Sequence, residues 1–111
     1  MAEKTFVNNS LATLQITIFI REGTEVFNQD GFESFTLNPN ETLLVEYGNE
    51  TNIFLNGFVL FTIFEGDLFS KVQFTTQLKS ELDNLLNTNE TITFTKVDTD
   101  YVVSGSNPPI I

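Results

Sequence analysis

The sequence predicts an all-β protein: a single-domain β-sandwich, jelly-roll or immunoglobulin-like, of seven or eight mainly antiparallel strands with one short helix. Three observations carry that expectation. Apolar residues recur with period two along much of the chain, the spacing of a half-buried strand. Residues that suit a pleated surface dominate those runs, with 12 Phe among 111 residues. Gly, Asn, Asp and Pro break the runs at short intervals, as in a sandwich or barrel.

The elements follow in chain order. "KTFVNNS" sets Phe6 and Val7 ahead of the first strong strand, and residues 1–10 read as a docking arm. Across Leu14–Ile20, Leu14, Ile16, Ile18 and Ile20 share one face, while Gln15, Thr17 and Phe19 share the other. Leu43, Val45 and Tyr47 repeat the pattern, with Leu44 and Glu46 opposite. "FLNGFVLFTIF" is apolar on both faces. Such a strand is either enclosed by the sandwich or covered on one face by another copy. Leu68, Ser70, Val72 and Phe74 form a further stripe, opposed by Phe69, Lys71 and Gln73.

In "LKSELDNLLN", Leu78, Leu82, Leu85 and Leu86 fall at i, i+4, i+7 and i+8. That spacing predicts a helix over Leu78–Asn87 capping an open end of the sandwich. Thr91, Thr93 and Thr95 then alternate with Ile92 and Phe94. The chain closes on "SNPPII", where prolines favour an extended course, and residues 105–111 read as a second docking arm.

Turns are expected at Asp30-Gly31, Asn38-Pro39-Asn40, Gly48-Asn49, Asn56-Gly57, Glu65-Gly66-Asp67 and Gly105-Ser106-Asn107. The tripeptide Asn-Glu-Thr occurs at Asn40, Asn49 and Asn89, each time before an apolar run. It reads as a strand start: Asn closes the turn, Glu stays solvated, and Thr enters the pleat.

Composition narrows the function. The net charge is −10, from 15 acidic against 5 basic residues. Phosphate backbones and anionic lipid are bound by Lys and Arg, so neither nucleic acid nor a membrane surface is an expected partner. With no Cys and no His, thiolate chemistry, the usual general base and the commonest transition-metal ligand are missing. No nucleophile elbow and no phosphate-cradling glycine loop occurs, so no enzymatic activity and no cofactor is expected. Calcium accepts carboxylate and carbonyl oxygens. Its candidates are Asp98-Thr99-Asp100, Glu65-Gly66-Asp67 and Asn28–Glu33, none with the spacing of an EF-hand loop. "LATLQITIFI" is interrupted by Thr and Gln, and reads as neither a signal peptide nor a membrane span. The expected location is cytoplasmic, or external by a non-classical route such as cell lysis or spore release.

What remains is a structural role in which the chain's partner is itself. The residues expected at the contact are Phe6 and Val7 in one arm, Ile110 and Ile111 in the other, and Phe19 and Phe69. The last two fall opposite the main apolar stripes, and extra apolar faces mark interaction surfaces. At the level of architecture the chain resembles small bacterial β-sandwich subunits that polymerise into surface or spore-appendage fibres through terminal arms. The resemblance implies arm or strand exchange between copies, without the cysteine-bearing arm of the spore fibres. The alternatives are a monomeric β-sandwich module that binds carbohydrate or calcium, and a small phage virion or decoration protein.

Overall fold

The alternating stripes pair into ladders. The computed structural model describes residues 2–107, and its elements run β1 (Ala2–Asn9), β2 (Leu14–Arg21), β3 (Gln29–Leu37), β4 (Thr42–Tyr47), β5 (Leu55–Phe64), β6 (Asp67–Phe74), α1 (Glu81–Asn87), β7 (Thr91–Val97) and β8 (Asp100–Ser106). Two four-stranded sheets form, in the orders β4-β1-β7-β8 and β3-β2-β5-β6. Every pairing is antiparallel except β1 with β7, which is parallel.

The inward parity of each strand builds one core between the sheets. Leu14, Ile16 and Ile18 of β2, Phe58 and Leu60 of β5, and Ile92 and Phe94 of β7 are all buried. Phe94 ties the layers together. Its ring lies 6.4 Å from Phe6 and 5.6 Å from Phe58, the latter edge-on, an arrangement aromatic pairs favour. Each such side chain withdrawn from water is worth about 1.5–3 kcal/mol.

Residues 2–9, expected as an arm, form an interior strand. β1 lies between β4 and β7, and Phe6 is buried in this chain's own core. Its flanking Thr and Val are strand formers, and two partner ladders hold them. In the other expected arm, Gly105 and Ser106 belong to β8; residues 108–111, with Ile110 and Ile111, lie outside the described residues.

Three expected turns fall in strands: Gly105-Ser106 ends β8, and the other two are strand-internal. Asp30-Gly31 sits inside β3, where the register against β2 shifts, so it is a bulge. Asn56-Gly57 sits inside β5: Asn56 is buried as a ligand of Arg21, and Gly57 leaves room for a neighbouring ring. Asn-Glu-Thr starts strands at Thr42 and Thr91. At Asn49 it does not, and β5 begins only at Leu55. There Asn49 Oδ1 accepts from the amides of Thr51 and Asn52 and from the Thr51 hydroxyl, which folds the segment into a tight turn.

The helix starts three residues later than its leucine spacing predicts. Lys79 has φ 64°, so the chain cannot be helical there, and Ser80 caps the start by accepting from the Asp83 amide. Leu78 is left exposed, while Leu86 is buried and Leu82 and Leu85 pack on the core.

A buried polar cluster locks α1 to the end of β2. Arg21 donates to Asn56 Oδ1 at 2.7 Å, to the Leu55 carbonyl at 3.2 Å and to Asp83 Oδ1 at 2.7 Å. Asp83 also accepts from Asn87 Nδ2 and from the Lys79 amide. Burial alone would raise the Asp83 pKa, but the bonds from Arg21, Lys79 and Asn87 outweigh it and hold the carboxyl below its usual value.

Candidate assembly surface

The outward parity of the two sheets differs sharply. On β4-β1-β7-β8 the outer face is set by Thr5 beside Thr91 and Ser106, then Val7 beside Thr93 and Ser104, then Asn9 beside Thr95. Hydroxyls dominate it, with Leu44, Val97 and Val102 exposed among them and Glu3 and Glu46 at one end.

On β3-β2-β5-β6 the outer face is apolar. Register places Phe32, Phe19, Gly57 and Phe74 in one row across the strands. The next row is Ser34, Thr17, Val59 and Val72, followed by Thr36, Gln15, Phe61 and Ser70; Ile63 and Leu68 close the far end of β5 and β6. No Asp, Glu, Lys or Arg stands on this face, although the chain carries −10. Phe32 is 63% exposed, Ile63 60% and Leu68 70%.

The first row is a continuous aromatic ridge. Phe19 lies 6.2 Å from Phe32 and 5.0 Å from Phe74. Phe74 reaches Phe19 because β5 presents Gly57 between them: a Cβ there would come within 2.6 Å of Phe74 Cδ1. The second row is lower, since Ser34, Thr17 and Val59 are small. Ridge and trough lie side by side.

The residues expected at a contact divide as follows. Phe19 stands on the apolar face, in the middle of the ridge. Val7 stands on the hydroxyl face and Phe6 in the core. Phe69 is a correction, because it points inward and packs on Tyr101 at 5.2 Å. The apolar stripe of β6, Leu68, Val72 and Phe74, is its exposed side. Parity is set by the ladder to β5, which pairs Phe58 with Gln73 and Leu60 with Lys71. β6 is an edge strand, so Lys71 on its inner side still reaches out, donating to the Tyr101 carbonyl at 2.8 Å and lying 3.4 Å from Asp100 Oδ1.

Between the β5–β6 and β7–β8 hairpins lies an open cleft of about 320 Å3, lined by Phe64, Phe69, Tyr101, Lys96, Asp98 and Thr99 among others. The Lys96 ammonium sits 4.4 Å from the Phe64 ring centroid. The Tyr101 hydroxyl is buried and finds no hydrogen-bond partner among the described residues. No group of three or more acidic side chains is placed to hold a metal ion among the described residues. Asp98 takes a turn conformation with φ 56°, and Asp100 accepts from the Tyr101 amide. No helix of the described residues is long and apolar enough to cross a membrane.

Comparison with known proteins finds no matching family model, and no matching curated protein or solved structure.

Proposed function

We propose that the chain is a non-enzymatic structural subunit that self-associates in pairs, the pair being the repeating unit of a larger assembly such as a fibre. The observation that carries this reading is the uncharged apolar outer face of β3-β2-β5-β6 on a strongly acidic chain. Contiguous exposed apolar patches larger than a few hundred Å2 mark interaction sites. The side chains on this face carry no charge, so what it offers a partner is apolar contact.

The face is a better contact than the sheet edges. The β3 edge is interrupted by its bulge and carries Asp30 and Glu33, devices that discourage strand addition. Arm exchange through β1 would have to withdraw Phe6 from the core before it could dock elsewhere. Light scattering on the purified chain, followed by negative-stain electron microscopy, tests the proposal. Concentration-dependent species above 12.5 kDa support it, and a monomer throughout sinks it.

The hairpin cleft favours a second reading, a module binding a small ligand such as a sugar. Aromatic walls supply an apolar platform, and Lys96, Asp98 and Thr99 in the same lining supply polar handles. A glycan array with no bound sugar removes this reading.

A further inference from the structure

We infer that the apolar face of β3-β2-β5-β6 docks on the same face of a second copy, about a two-fold axis running across the strands between the aromatic ridge and its trough. This rests on the self-association reading and adds its partner surface, register and symmetry. Three observations specify the occupant.

The first is shape. A two-fold axis lying in the contact plane, parallel to the rows, carries the ridge row of one copy onto the trough row of the other. Phe32 then faces the partner's Ser34 and Phe19 faces the partner's Thr17, each twice over. A bulky row beside a small one is therefore complementary to itself, the condition for an isologous contact. Sheets packed this way lie about 10 Å apart, as layers in sandwiches do.

The second is area. Taking a large apolar side chain as roughly 150–250 Å2, the exposed parts of Phe32, Phe74 and Val72 in the two overlapping rows amount to roughly 300 Å2. A stable complex buries about 800 Å2 per partner, so the pair is weak and reversible, and its mass is read at raised concentration.

The third is charge. Two chains of −10 repel, so a second copy is tolerated best through a surface with no charge. A basic partner would be drawn to the carboxylates elsewhere, and this face offers it none. Pairing like faces also turns both hydroxyl-rich, charge-bearing faces outward.

Sedimentation equilibrium on four chains tests the inference: the natural sequence, Phe32→Glu, Ser34→Trp and, on the hydroxyl face, Leu44→Glu. Phe32, Ser34 and Leu44 are exposed, so each variant keeps its circular dichroism spectrum. The natural chain and Leu44→Glu are dimers. Phe32→Glu and Ser34→Trp raise the dissociation constant at least about 100-fold, because a buried unpaired charge or a filled trough appears twice. The chain has no Cys, so Phe32→Cys and Ser34→Cys give single attachment points. A short bis-maleimide links the mixture into a heterodimer faster than it links either alone. A monomeric natural chain overturns both this inference and the self-association reading. An oligomer that withstands Phe32→Glu and Ser34→Trp leaves self-association standing and overturns this face. Linking of Phe32→Cys to itself in preference to Ser34→Cys overturns the register.

Discussion

Gly57 shows how one residue decides the character of a surface. It is the only position in its row without a side chain, and Phe74 lies across the space to meet Phe19. Gly57→Ala would drive a methyl group into that ring and toward the Gln73 carbonyl, and it is expected to cost about 1–3 kcal/mol in urea unfolding. Asp83 is the second decisive residue, because it neutralises the buried Arg21. Asp83→Asn leaves that guanidinium without its counter-charge, with an expected loss of about 3–5 kcal/mol by the same measurement. The pH dependence has a definite sign. The carboxyl is held below its unfolded value, so its contribution is complete above about pH 4 and is lost as the pH falls through the lower folded value. Thermal unfolding followed from pH 7 to pH 2 is expected to show that contribution disappearing only at the acid end. Neither residue was legible as special in the sequence. Asn56-Gly57 has the composition of a turn, and Arg21 follows an apolar run as any solvated strand end might. Only the register of β5 and the return of α1 give them partners.

At the scale of elements, the strands were legible where one face is polar. β2, β4 and β7 show the expected alternation with the expected side buried, because Thr, Gln and Glu on the other parity leave no doubt which face meets water. β6 was legible as a strand and misread in its facing. Its outward parity holds Leu68, Val72 and Phe74, and its inward parity holds Lys71 and Gln73. Polarity therefore points the wrong way, and the covalent constraint of the β5–β6 hairpin overrides it. That inversion leaves three large apolar side chains in water, which is what the self-association proposal starts from. β1 was misread for a different reason: a short Phe-Val pair near one end of a sequence carries no sign of the two ladders that will enclose it. In α1 the leucine spacing was sound, but Ser80 and the left-handed Lys79 fix a later start. Ser80→Ala removes the cap that holds the Asp83 amide and is expected to cost about 1 kcal/mol, measurable as a lowered unfolding midpoint.

The described residues form a two-layer slab with principal extents of 41 × 36 × 22 Å, one broad side rich in hydroxyls and bearing charge, the other uncharged and largely apolar. Electrostatics opposes any meeting of two such slabs, since each carries −10. Added salt is therefore expected to tighten self-association, the reverse of an interface held by ion pairs. Lowering the pH toward the isoelectric point near 4.1 should act in the same direction. Static light scattering across a salt series checks the first effect, and across a pH series the second. If the apolar face of β3-β2-β5-β6 holds copies of the chain together, the sedimentation-equilibrium masses of the natural chain and of Phe32→Glu must differ. The expected masses are twice 12.5 kDa for the first and 12.5 kDa for the second; equal masses for the two rule the contact out.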